Sequence, residues 1–261
     1  KPMIYKISMI LFSNRFCYNF FKKCNKLINH ILGFANYDFA YSGEKYLIES
    51  LSKEIKSIID VGAGEGSFFE LIESSMKNKF IYYAFEPNPN SYKILESRLT
   101  KSRINNYKIY NKAAGDKEEK LNLYFYKDKS KPNHSSLSKD TYDILYQKEF
   151  DSIEVDVLKL DSLIDEFKDV DLIKIDTEGN LSKVLIGAQK LIKIKSLKYI
   201  LFELNTNEYI QGVTFYEISN LIGNDFKFYR LLRNGLIEIN NKNFLIHEFG
   251  CNIIAKRNVE L

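Results

Sequence analysis

The sequence predicts an α/β fold, a mostly parallel sheet with helices on both faces, and three observations carry that expectation. Strand-like and helix-like segments alternate from Ser57 to Ile222. A short apolar strand, Ser57–Val61, runs into a glycine-rich turn that opens an amphipathic helix over Phe68–Met76. No internal repeat, low-complexity segment or Ser/Pro linker interrupts the 261 residues, so one large domain with additions is the economical reading.

The elements follow in order. Tyr46, Leu47, Leu51 and Ile55 recur at three- and four-residue spacing and predict a helix over Tyr41–Ile55. After the first strand and its helix, Phe80–Glu86 reads as a second strand, ended by Pro87 and Pro89, with a helix over Ser91–Thr100. Tyr107–Asn111 is a third strand. Leu121–Tyr126 and Ser152–Leu158 are two more, separated by a polar stretch from Lys127 to Lys139. Asp171–Asp176 has the apolar run of a central strand, and a helix over Leu181–Ile192 follows. Leu197–Leu204 is the next strand and Phe215–Ile222 the next helix. Phe226–Leu232 and Leu236–Ile239 flank Asn234-Gly235, a pair suited to a type I′ hairpin turn, and Cys251–Lys256 is the last strand.

Composition narrows the class. Hydrophobic residues make up 45% and charged residues 28%, as in a soluble globular protein. The net charge of +4 is mild and does not point to nucleic acid as a partner. Cys17, Cys24 and Cys251 are odd in number and lack C-x-x-C spacing, which argues against a disulfide scaffold or zinc site and for a reducing, cytoplasmic compartment. Residues 1–40 form an N-terminal helical extension ahead of a main domain at 41–261. Its apolar run is interrupted by Ser13, Asn14 and Arg15, well short of the roughly 18 residues of a membrane span. The extension reads as helices packed on the main domain or on a second subunit, a homodimer included. Peripheral contact with a membrane surface is the sharper alternative.

Ligands of doubly wound sheets bind at the carboxyl ends of the strands. Those ends hold Asp60, the turn Gly62-Ala63-Gly64-Glu65-Gly66-Ser67 with Phe68 behind it, Glu86 and Pro87, Asn111, Asp176 to Asn180, and Glu203 to Asn205. Glycines let a backbone approach a ligand closely. The spacing is one residue shorter than the dinucleotide G-x-G-x-x-G, and Asp60 would repel a pyrophosphate. Both departures favour S-adenosyl-L-methionine, whose amino-acid portion is cationic, over NAD. Glu86 lies 20 residues beyond Gly66, where a carboxylate can accept both ribose hydroxyls; a helix-capping acid is the alternative. The small residues at Asn111-Lys112-Ala113-Ala114 leave room for adenine, with Asn111 at its edge, or form a plain polar turn.

A second constellation is Asp176-Thr177-Glu178-Gly179, with Glu203 at the end of the following strand. Acids at apolar strand ends cost free energy unless paired, hydrogen-bonded or metal-bound. Asp176, Glu178 and Glu203 could deprotonate an acceptor hydroxyl. Alternatively Asp176 and Glu203 could hold Mg²⁺ or Ca²⁺, or the acids could pair with Lys174. His134, in the polar stretch beside Ser135-Ser136, is a secondary candidate base.

Taken together these residues resemble the FkbM family of S-adenosylmethionine-dependent methyltransferases. The similarity runs from about Lys56 to Asn205 through IIDVGAGEGSF, AFEPNPNSY, NKAAGD, SSL, VDVLKLDSLI, DLIKIDTEGN, GAQKLI and LFELN. It implies a Rossmann-like class I methyltransferase fold with seven strands and a reversed seventh. It also implies O-methylation of a hydroxyl, often of a sugar in surface-glycan (capsule or lipopolysaccharide) or natural-product biosynthesis. Asp60, Gly62, Gly64, Glu86 and Asn111 would then face the cofactor, with Asp176 and Glu178 beside a small-molecule or glycan acceptor. One departure stands out: where the family usually has an acid after Glu-Gly-x, this chain has Leu181. A phosphate or phosphoramidate oxygen as acceptor, a non-catalytic cofactor-binding role, and an NAD-dependent oxidoreductase are the competing readings.

Overall fold

The computed structural model describes residues 14–31, 38–127, 135–141, 143–144, 149–241, 244 and 250–258. Its helices are α1 (Arg15–Ile31), α2 (Phe39–Ser42), α3 (Glu44–Leu51), α4 (Ser67–Ser75), α5 (Pro89–Lys101), α6 (Lys139–Thr141), α7 (Leu181–Ile186), α8 (Gln189–Ile192), α9 (Thr206–Ile210) and α10 (Phe215–Ile222). The strands are β1 (Ser57–Val61), β2 (Ile81–Phe85), β3 (Tyr107–Tyr110), β4 (Ala113–Ala114), β5 (Glu119–Tyr126), β6 (Ser135–Ser136), β7 (Phe150–Leu158), β8 (Leu172–Ile175), β9 (Tyr199–Leu204), β10 (Phe226–Leu232), β11 (Gly235–Ile239) and β12 (Cys251–Arg257). Among these residues no helix is long and apolar enough to cross a membrane.

The main sheet runs β11-β10-β12-β9-β8-β1-β2-β3. Its β3, β2, β1, β8 and β9 are parallel, and β12 is antiparallel to both neighbours, the reversed strand that the family resemblance implies. The sheet has eight strands rather than the expected seven. The extra one, β11, is the second arm of the Asn234-Gly235 hairpin and pairs with β10 from Phe228↔Ile239 to Leu232↔Gly235. Every residue of β1 and β8 is buried, because helices cover both faces of the sheet centre. One face packs Ile59, Val61, Phe85, Ile173 and Phe202 against α7, α8 and α10. The other packs Ile58, Tyr82 and Leu172 against α3, α4 and α5.

Two predicted strands leave the main sheet. The residues of β5 and β7 are largely exposed or half-buried along their length, so neither suits the sheet centre. They pair antiparallel from Glu119↔Val157 to Tyr126↔Phe150 and, with β4 and β6, make a second four-stranded sheet.

Two predicted helices are each broken at a glycine. Tyr41–Ile55 divides at Gly43, where φ is 89° and a Cβ would lie 2.5 Å from the Leu232 carbonyl oxygen, which excludes a side chain. Leu181–Ile192 divides at Gly187-Ala188, where a Cβ on Gly187 would lie 1.9 Å from the Gly115 carbonyl. The Asp161 carboxylate then accepts the N–H groups of Lys190 and Leu191 and restarts the helix as α8.

Candidate active site

At the carboxyl ends of β1, β2, β8 and β9 lies a cleft of about 270 Å³. The turn after β1 forms one side, and its three glycines have three different reasons to be glycine. Gly62 (φ 79°) donates its N–H to the Phe85 carbonyl at 2.9 Å, and a Cβ there would sit 1.8 Å from the Asp176 carbonyl oxygen. Gly64 (φ 56°) has nothing within 4 Å of where a Cβ would stand, so it presents bare backbone to the cleft. Gly66 does not line the cleft; it caps α4, with the Leu95 side chain 2.9 Å from a would-be Cβ.

A substitution at the first of these is informative. Gly62→Ala is expected to cost at least ~2 kcal/mol, from strain at positive φ and the clash with Asp176. Urea denaturation measures this directly, and unchanged stability would show that the two loops can separate.

Glu86, Pro87, Ala63, Ser67, Phe68 and Ala113 also line the cleft. The Glu86 carboxylate accepts the N–H of Gly64 at 2.7 Å and that of Asn88 at 2.8 Å, which fixes it at the turn. Each carboxylate oxygen has a second lone pair for a ligand hydroxyl. Ala114, Leu123, Ser135 and Leu137 carry the second sheet to the cleft, and Phe39 and Glu44 of α2 and α3 close it elsewhere.

Three expected site residues stand differently. Asp60 is fully buried and does not line the cleft, because strand alternation turns it with Ile58 toward α3 and α4. There it accepts a hydrogen bond from the Tyr82 hydroxyl at 2.5 Å, with the Lys174 ammonium 3.7 Å away. Asn111 is exposed and spends its side-chain N–H groups on the carbonyls of Glu86 and Pro87, holding the turn that carries the acid. His134 lies outside the described residues.

Asp176, Glu178 and Glu203 do converge on the cleft. Asp176 follows β8, and its Oδ2 accepts from Lys174 Nζ at 3.1 Å. Glu178 has φ 51°, a conformation uncommon outside glycine, and its carboxylate accepts from Asn205 at 3.2 Å and from Asn207. Asn205 also donates to Glu203 at 3.1 Å. The loop is tied down beneath by Glu208, which accepts the N–H groups of Gly179 and Leu181. Leu181 itself is packed in the core.

Sequence reasoning did not assign Lys174, Glu44 or Glu208 to the site. Lys174 had a legible signal, a lysine inside the apolar strand Leu-Ile-Lys-Ile. Its Nζ lies between Asp176 and Asp60 and 5.0 Å from the Phe68 ring centroid. Burial opposes its charge, but Asp176, Asp60 and Glu44 outweigh that and hold its pKa above the usual lysine range. Glu44 and Glu208 reach the site only through tertiary packing.

Burial also raises the acids. Glu44, Glu86 and Glu208 are pushed up to about 7 by desolvation. Glu203 is pushed up to about 8, first by burial and then by the charges of Asp176 and Glu178. The folded protein therefore holds protons that the unfolded chain releases above the ordinary glutamate value near 4.5. That stability is complete below the unfolded value and is lost as pH rises through 7 and 8. The ligand-free protein is expected to melt at least ~5 °C lower at about pH 8.5 than at about pH 5. Scanning calorimetry across that range is the check, and a rising melting temperature would contradict it.

Asp176 and Glu203, the expected pair for a metal, are each already engaged, the first by Lys174 and the second by Asn205. Among the described residues no group of three or more His, Cys, Asp or Glu has ligating geometry, and the Lys174 ammonium already occupies one face of Asp176. A sulfonium donor fits better. Among the described residues the cleft lining includes six acids, Glu44, Glu65, Glu86, Asp176, Glu178 and Glu203, against Lys174 as the one basic residue. Thr177 Oγ1 there is buried with no hydrogen-bond partner among the described residues.

Comparison with known proteins gives three results. The profile of the methyltransferase FkbM domain matches residues 60–231. No curated protein matches the chain. Among solved structures, methyltransferase FkbM from Methylobacillus flagellatus is similar at 15% identity and a TM-score of 0.46, over 79% of this chain and 50% of that one. This chain thus spans half the length of that protein. The O-methyltransferase from Bacillus cereus in complex with SAH is similar at 13% identity and a TM-score of 0.45, over 97% and 96% of the two chains. A SAM-dependent O-methyltransferase from Thermotoga maritima is similar at 14% identity and a TM-score of 0.40, over 84% and 66%.

Proposed function

The chain belongs to the FkbM methyltransferase family, and from that premise we propose that it is an S-adenosylmethionine-dependent O-methyltransferase acting on a hydroxyl. The acceptor class is a sugar of surface-glycan, polysaccharide or natural-product biosynthesis, methylated in the cytoplasm. One observation carries the reading: the turn from Gly62 to Glu65, Glu86 and the carboxylates Asp176, Glu178 and Glu203 share a single cleft.

Bound there, S-adenosylmethionine supplies an electrophilic methyl on a cationic sulfur. The chain's part is to hold, orient and deprotonate. Gly64 offers unshielded backbone, Glu86 offers carboxylate oxygens to a ribose diol, and the small Ala113 and Ala114 leave space for a flat ring. Asp176 would take the proton of the acceptor hydroxyl as the acceptor oxygen receives the methyl that the donor's sulfur gives up. Alignment of the two reactants supplies much of the acceleration, and the carboxylate supplies general-base assistance. No step runs through a metal. With Glu44, Glu86 and Glu203 pushed up to about 7 to 8 by burial, it is Glu65, Asp176 and Glu178 against Lys174 that favour an uncharged hydroxyl over a phosphate or phosphoramidate oxygen.

Calorimetry with S-adenosylhomocysteine and with NADH, alongside labelled-methyl transfer into fractionated cell extract, tests the proposal. We expect S-adenosylhomocysteine to bind, NADH not to bind, and label to enter a carbohydrate fraction as a methyl ether. Binding without transfer to any fraction would leave a cofactor-binding protein and remove the catalytic assignment. Preference for NADH would remove the whole reading.

A further inference from the structure

Helix α1 is built for a different kind of contact. At 100° per residue, Phe16, Leu27, Phe20, Cys24, Cys17, Ile28 and Phe21 fall within one arc of about 140°. Phe16 is 81% exposed, and Phe20, Phe21, Leu27 and Ile28 are between 51% and 61% exposed, so this arc is not spent on the core. Arg15, Lys22 and Lys26 lie on the other side of the helix and Lys23 at the edge of the arc beside Phe16, and the helix contains no acid.

The charge of the chain is segregated along its length. Six of its 38 basic residues and none of its 34 acidic ones fall in the first 37 positions, so the remainder is net acidic. A symmetric pairing of two such helices would bury the apolar arcs and leave the basic side chains in water without a partner. Nucleic acid would satisfy the lysines and leave the phenylalanines in water. An anionic bilayer surface satisfies both: its acyl boundary accepts an apolar arc, and its headgroups accept lysine and arginine at the rim.

We propose that α1 is an interfacial anchor that docks the protein reversibly on anionic lipid membranes, its Phe16–Phe20–Leu27 arc in the acyl boundary and Arg15, Lys22, Lys23 and Lys26 among the headgroups. The contact has two components that can be separated. Apolar insertion alone is weak, and the acidic body of the protein opposes approach to an anionic surface. The basic side chains therefore confer lipid selectivity, and the aromatic ones confer retention.

Flotation of the whole protein with phosphatidylcholine vesicles, and with mixed phosphatidylcholine–phosphatidylglycerol vesicles, tests this. We expect recovery with the mixed vesicles only, and release at ~1 M salt, where the screening length falls to about 3 Å. Phe16→Asp/Phe20→Asp and, separately, Lys22→Glu/Lys23→Glu/Lys26→Glu should each weaken the partition at least ~10-fold, with the melting temperature unchanged. Absence of the wild-type protein from the mixed vesicles, or equal recovery of all three proteins, would overturn the proposal. So would a dimer by light scattering that Phe16→Asp/Phe20→Asp dissociates, since the face would then join two copies of the chain.

Discussion

Asp176→Asn is expected to bind S-adenosylhomocysteine as tightly as wild type and to turn over roughly 10²–10⁴-fold more slowly. The replacement is isosteric, and its amide oxygen can still accept from Lys174 Nζ, which now stands 3.1 Å from Asp176 Oδ2. What it lacks is a basic carboxylate facing the cleft. Glu203 does not replace it near neutral pH. Its acid is pushed up to about 8, so it holds its proton there. Glu203→Gln should accordingly cost only severalfold near neutrality. In wild type, any contribution from Glu203 should appear as a rise in rate as pH passes through 8, and Glu203→Gln should lack that rise. Single-turnover assays across pH, with calorimetry as the binding control, separate the two acids. Near-normal turnover in Asp176→Asn would remove it as the base.

The largest expected loss of stability comes from Lys174→Met. Lys174 lies in a central strand, its side chain 7% exposed, with Asp60 at 0% on one side and Asp176 on the other. Methionine fills much the same volume but leaves Asp60 with the Tyr82 hydroxyl alone among the described partners. Removing one member of a buried ion pair costs about 3–5 kcal/mol, most of it the penalty on the charge left behind. Asp60→Asn in the same background removes that charge, so the double variant should recover a large part of the loss. A double-mutant cycle by urea denaturation gives the coupling directly. Additive losses would mean that Lys174 answers chiefly to Asp176.

Much of this architecture is written in local pattern. The runs Ser57–Val61 and Leu172–Ile175 announce central strands because burial on both faces favours apolar, β-branched side chains, here interrupted only by Ser57, Asp60 and Lys174. Glu86 is legible because a strand end followed by Pro87 fixes where its carboxylate must be. Position along a strand does not reveal which face a residue takes relative to the cleft, so the pattern points Asp60 at a ligand while the fold places it beneath the floor. Glu44 and Glu208 were illegible for another reason. Each is far along the chain from the residues it serves, and only the stacking of α3 and the position of α9 bring it close. The splits at Gly43 and Gly187 were hidden because each reports a neighbouring carbonyl distant in sequence.

The contact between Gly62 and the Asp176 carbonyl has a consequence for how the enzyme must open. Those two backbones sit hydrogen to oxygen, and Asp176 N donates to the Val61 carbonyl at 2.9 Å, so the joint has no slack. The span between the two half-sites behaves as a fixed gauge, set by main chain rather than by any side chain that could turn. On the proposed function, exchange of spent donor and methylated product therefore belongs to the walls. Phe39 and Glu44 on one flank, or Ser135 and Leu137 on the other, must yield while the floor keeps its measure.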